Sequence, residues 1–97
     1  MLGMFYYFVR VQFISEKPAS YKALKMQLRT LGFNKIIIGK SSGKGYVLPK
    51  GNYSITTLSN INDVLNIVTA TASAIEINPY VLITQVNDYA MAGLDPA

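Results

Sequence analysis

Residues 4–14 (MFYYFVRVQFI) alternate like a strand: Phe5, Tyr7, Val9, Val11 and Phe13 form one unbroken apolar face, and Tyr6, Phe8, Arg10 and Gln12 a mixed one. Such a strand belongs to a sheet with a core face and a half-polar, aromatic face. The period then changes. Over residues 18–31, Tyr21, Leu24, Leu28 and Leu31 recur at helical spacing and predict a buried stripe, with Pro18 suited to the first turn and Gly32 to the position just past the end. Residues 35–39 (KIIIG) predict a short buried strand, residues 40–45 (KSSGKG) a basic loop, and Tyr46–Leu48 a small extended piece stopped by Pro49. Asn52–Leu58 is the third strand. Asn60 is placed to cap a second helix, with Asp63 at the positive end of its dipole and Ile61, Val64, Leu65, Val68, Ala72 and Ile75 on its apolar side. Tyr80–Val86, after Pro79, is the fourth strand. The order β-α-β-β-α-β predicts an α+β, ferredoxin-like sandwich, a four-stranded antiparallel sheet with two helices on one face. Residues 1–89 are expected to form the single domain and 90–97 a tail.

Composition narrows the chemistry. Half of the 97 residues are apolar and 14% are charged, a balance that excludes a disordered chain. With no Cys and no His, thiolate zinc sites, thiol nucleophiles and histidine acid–base catalysis are excluded. The charge is polarised. Residues 1–50 carry all nine cations and one anion, Glu16, for +8; residues 51–97 carry four anions and no cation, for −4, and the two halves sum to +4. A basic first half favours a polyanionic partner. Within it, Lys22, Lys25 and Arg29 stand at i, i+3 and i+7 and predict one basic ridge along the first helix. The apolar opening is cut by Arg10, and the window Val64–Ile75 falls short of the ~20 apolar residues of a membrane helix. A cytoplasmic protein with no membrane partner is expected.

Three familiar motifs fail on inspection. Gly39-Lys40-Ser41-Ser42-Gly43-Lys44-Gly45 has one residue too few for a P-loop, has Gly45 in place of Ser or Thr, and precedes an extended stretch rather than a helix. Its lysines remain available to touch phosphate non-specifically. An RNA-recognition motif would put stacking aromatics on the first and third strands; Tyr6 and Phe8 suit the first, but Asn52 stands where the third needs an aromatic. Two-metal hydrolysis needs convergent carboxylates, whereas Asp63, Glu76, Asp88 and Asp95 are scattered, so neither a metal nor another cofactor is expected. The small CRISPR-associated nuclease of similar size and fold order keeps an aspartate near the end of its first strand, where this chain has Arg10-Val11-Gln12-Phe13-Ile14.

Three stretches together resemble the GhoS family, the antitoxin endoribonucleases of type V toxin–antitoxin systems. Pro18-Ala19-Ser20-Tyr21 and Leu28-Arg29-Thr30-Leu31 resemble that family's P-S-S-Y entry to the first helix and its L-R-S-L exit. Gly51-Asn52-Tyr53-Ser54-Ile55-Thr56-Thr57 is similar to its N-S-F-A-I-T-T strand, and Val86-Asn87-Asp88-Tyr89 to its V-D-D-Y. The match runs in one register over roughly residues 5–89. It implies a ferredoxin-like protein that cleaves single-stranded RNA, silencing the message of a small membrane toxin, with functional residues at Arg29 and Tyr53. The connection around Lys40, Lys44 and Lys50 is more lysine-rich than the family's, and the tail after Tyr89 diverges.

These readings give a sequence-selective, metal-independent endoribonuclease as the leading expectation. Arg29 would clamp the phosphate, Tyr53 would stack a base, and Lys22, Lys25, Lys40, Lys44 and Lys50 would guide the strand. No side chain stands out as general base. From the residues alone, the preferred reading of Arg29 is a helix-terminal cation favoured by the dipole, and that of Tyr53, on one strand face with Ile55, a core residue. The alternatives are a non-catalytic RNA- or protein-binding module on the same fold, a homologue of the small CRISPR-associated nuclease, and a homodimer formed through the Tyr6/Phe8 face. Either a monomer or a weak homodimer fits the open sheet.

Overall fold

A computed structural model describes residues 3–39 and 42–97. Its elements are β1 (Phe5–Gln12), α1 (Pro18–Thr30), β2 (Ile36–Ile38), β3 (Gly45–Val47), β4 (Asn52–Thr57), α2 (Ile61–Ser73) and β5 (Tyr80–Gln85). The alternation in β1 does what its pattern predicts except at its first residue, Phe5, which is 38% exposed. Tyr7, Val9, Val11 and Phe13 are all buried, and both neighbouring strands run antiparallel to β1 in the order β4-β1-β5. The register sets Tyr7 opposite Ile55, and Val9 between Tyr53 and Ile83. α1 covers this face with Tyr21, Leu24 and Leu28, and α2 with Val64, Val68 and Ala72, so both helices pack on one side of the sheet around one core.

The helix ends follow their local chemistry. Pro18 opens α1, and the Asn60 side chain caps α2 by accepting from the Asp63 N–H at 2.9 Å. α1 closes in a Schellman motif. Gly32, at φ +94°, donates to Arg29 O, and Phe33 donates to Leu28 O at 3.0 Å. Phe33 is thereby folded back onto Leu28 in the core, and Arg29 is held in the last turn of the helix. On the helices and their caps, three positions expected to be buried are not. Leu31, at the cap, is 50% exposed, and Ile61 and Leu65 on α2 are 37% and 36% exposed, because a narrow sheet buries only the central line of each helix.

The expected four-stranded sheet has three strands. Asn34 pairs with Ser54 on the outer edge of β4, but the chain then leaves that edge and β2 pairs with β3 in a separate two-stranded sheet. The cause lies at Lys35, whose carbonyl accepts from Leu48 N–H at 2.8 Å and commits the following backbone to the hairpin. β2 is accordingly half-covered, with Ile37 buried and Ile36 and Ile38 40% and 52% exposed. The result is a small α+β protein with two helices and antiparallel sheets, in an order consistent with the ferredoxin-like plan plus one short strand.

The segment after β5 crosses the other sheet face. Tyr89 packs its ring against Tyr6 and Phe8, with centroids 6.1 and 5.6 Å apart, and its hydroxyl donates to Ile38 O at 2.5 Å. Residues 90–97 do not trail away: Val47 N–H donates to Asp95 O and Ala97 N–H to Gly45 O, so the segment lies along β3. The aromatic face expected to be open is therefore partly covered from within the chain. Among the described residues, no helix is long and apolar enough to cross a membrane.

Candidate functional site

The basic ridge of α1 overlooks a groove whose opposite wall is β4, the loop before it, and the start of the β2–β3 hairpin. Two concavities make up the groove. The larger, about 340 Å³, lies between Lys25 and Arg29 on one side and Asn34, Ile36 and Val47 on the other, with Phe33 also lining it. The smaller, about 260 Å³, lies among Tyr21, Lys22, Lys50 and Gly51. Lys25, Lys35 and Tyr53 line both. Gly51 allows the close passage that shapes the floor: its φ is +78°, and a Cβ there would stand 2.2 Å from Val11 O.

Lys35 occupies the middle of the groove. Its ammonium donates to Pro49 O and, at 3.0 Å, to Asn52 O, and it sits 4.7 Å from the centre of the Tyr53 ring. Burial pulls its pKa down, and the neighbouring Lys25 charge adds to this, bringing it to about 8. Tyr53 behaves oppositely: burial pushes its phenol up to about 12, so it stays protonated. Tyr53 is 2% exposed and belongs to the core, and one side of its ring faces Lys35. It builds the groove wall, therefore, and does not offer the free stacking surface expected of it.

At the far end Lys50 is restrained. It pairs with Glu16 at 2.9 Å and lies 4.7 Å from the centre of the Tyr21 ring. Tyr21 hydroxyl donates to the other Glu16 oxygen at 3.0 Å and accepts from Phe13 N–H at 2.9 Å. The bond from Lys50, followed by that from Tyr21, holds the Glu16 carboxyl below its ordinary value. By contrast Lys22, Lys25 and Arg29 are exposed and, among the described residues, have no carboxylate partner.

The structure thus brings together Lys22, Lys25, Arg29, Lys50 and Tyr53 of the expected residues. Lys44 lies apart, on the exposed turn of the β2–β3 hairpin, and Lys40 lies outside the described residues. The sequence reading missed Lys35 and Asn34. The available signal was a lysine heading an otherwise apolar run, KIIIG, where an edge position would suffice to explain it. The carboxylates remain dispersed: Glu16 serves Lys50, Asp63 stands in the first turn of α2, and Glu76 accepts from Ser15 Oγ at 2.6 and 2.7 Å. Among the described residues, no group of three metal-ligating side chains gathers. With a guanidinium and several ammonium groups along one side and little countercharge, the groove has the chemistry to hold an anion. No family model matches the chain, and no curated protein matches it either.

Proposed function

We propose that the protein is a metal-independent endoribonuclease that draws single-stranded RNA into the groove between α1 and β4. The observation that carries this reading is the convergence of Lys22, Lys25, Arg29 and Lys35 on one concave surface without carboxylate partners among the described residues. The resemblance of residues 18–31, 51–57 and 86–89 to the antitoxin endoribonucleases, and an element order compatible with their ferredoxin-like fold, support it. They also supply the antitoxin role, with the message of a small membrane toxin as target.

RNA carries its own nucleophile. Attack of the 2′-oxygen on phosphorus breaks the bond to the 5′-oxygen and leaves a 2′,3′-cyclic phosphate. The proton of the 2′-hydroxyl passes to solvent, and a proton must reach the departing 5′-oxygen. In this reading Arg29 and Lys25 hold the phosphate oxygens and stabilise the charge that develops on them. Lys35 has three protons, two engaged by backbone carbonyls, and a pKa near 8 lets the third be surrendered close to neutral pH.

Incubating purified protein with mixed-sequence single-stranded RNA in EDTA, beside Arg29→Ala, tests this. Discrete fragments ending in cyclic phosphate are expected from the native protein and not from the variant. One observation favours a second reading, binding without turnover: the two carbonyl bonds of Lys35 also suit a purely architectural clamp. Intact RNA together with salt-sensitive binding would select it.

A further inference from the structure

The two concavities differ in character. The smaller sets Lys22 and Lys50 beside the Tyr21 and Tyr53 side chains and the Gly51 backbone, with no aliphatic side chain in its wall. The larger has apolar surface beside its charges: Ile36 is 40% exposed, its cross-strand partner Val47 is half-buried, and Phe33 closes the interior. A groove that gripped only the sugar–phosphate backbone would have no use for this wall. At about 340 Å³ the larger concavity falls in the ~300–1,000 Å³ range of small-ligand sites.

Asn34 stands at the mouth of that wall. Its backbone N–H donates to Ser54 O at 2.7 Å and its carbonyl accepts from Ser54 N–H at 2.9 Å, which fixes the residue on the edge of β4. Its side-chain amide makes no hydrogen bond among the described residues, so a donor and an acceptor side by side are left for a ligand. Phosphate offers only acceptors and would leave the amide oxygen unmatched. The exposed edge of a nucleobase offers both.

Resting on the RNA reading above, we infer that the larger concavity holds one unpaired nucleobase against Ile36 and Val47, with Asn34 selecting it by bonds to its edge while Arg29 and Lys25 hold the adjoining phosphate. The sequence preference of the protein then resides in Asn34 and the hairpin wall, and the ridge of α1 supplies affinity without discrimination.

Fluorescence-anisotropy titration of labelled A, U and C homopolymers at several salt concentrations tests the inference. The native protein is expected to favour one homopolymer by about 5–150-fold, the range of one good bidentate base contact. Asn34→Ala should bring all three within about twofold and leave the salt dependence unchanged, because the bonds to Ser54 are backbone bonds and the phosphate contacts stay. Ile36→Ser, at an exposed position, should weaken the preferred homopolymer selectively, and it serves as the test should Asn34→Ala fail to fold. Equal binding of all three homopolymers by the native protein, or a preference that survives in the variants, overturns the inference and leaves the RNA reading standing. Failure of the native protein to bind any homopolymer at low salt overturns both.

Discussion

At Lys35 two influences oppose. Burial and the Lys25 charge disfavour the ammonium, and the carbonyls of Pro49 and Asn52 and the Tyr53 ring hold it in place. Its folded pKa of about 8 lies below the ordinary 10.5, so the unfolded chain binds the proton more tightly than the folded one. The resulting penalty on folding is fully present below pH 8 and is relieved as pH rises towards 10.5. Thermal melting between pH 7 and 9.5 should therefore show a rise in Tm that is absent from Lys35→Met. Anion binding has the opposite sign, because a phosphate in the groove favours the ammonium. RNA affinity is expected to fall as pH passes through 8, and to fall less in Lys35→Gln. Gly51 sets a harder limit. Gly51→Ala would combine a left-handed φ with a Cβ 2.2 Å from Val11 O, and a loss of about 1–3 kcal/mol from the backbone strain alone should appear in urea unfolding.

Among the elements, those governed by local rules were legible in the sequence. The alternation of β1, the Asn60 cap, the Pro18 entry and the Gly32 exit each depend on neighbours a few residues away, and each stands where the pattern places it. The strand Ile36–Ile38 was legible as a strand but not as to partner. Three isoleucines mark extended backbone equally well beside β4 or beside β3, and the choice rests on a bond from Leu48 to Lys35 that no local pattern encodes. Site residues divide in the same way. The ridge of Lys22, Lys25 and Arg29 follows from helical spacing, whereas the burial of Lys35 requires Pro49 and Asn52 to come round from a distant loop. The wall side of Tyr53 was readable from its sharing a strand face with Ile55; that Lys35 covers part of its ring was not. Where the core meets α1, Leu24 and Leu28 are both fully buried, and replacing either with Ala should cost about 2–5 kcal/mol.

For the whole molecule, the separation of charge along the chain becomes in part a separation in space: Lys22, Lys25, Arg29, Lys35 and Lys50 gather around the groove, and Asp63 and Glu76 belong to α2 and its exit. On the proposed function, long-range attraction would direct a polyanion to the groove side of the protein. With Lys22, Lys25, Arg29 and Lys35 each releasing about one counterion from a single strand, log K should fall against log salt with a slope near about −3. Glu16 acts against this by holding Lys50. Glu16→Gln is expected to tighten RNA binding and steepen the slope by about 0.7, read from the same titrations.

The junction between Asn34 and Ser54 has a mechanical consequence. Among the described residues, one residue pair with two hydrogen bonds joins the hairpin to the edge of β4 by strand pairing; Lys35 adds side-chain bonds to Pro49 O and Asn52 O, and further ties run to residues 89–97. α1 and the three-stranded sheet share the core, whereas the hairpin stands beside it as a separate two-stranded sheet. Displacing the hairpin would leave the core cluster intact, and on the proposed function that is a route by which a strand enters sideways rather than threaded by its end. An RNA with both ends closed into hairpins and only an internal loop unpaired should then enter the groove as readily as a free-ended one.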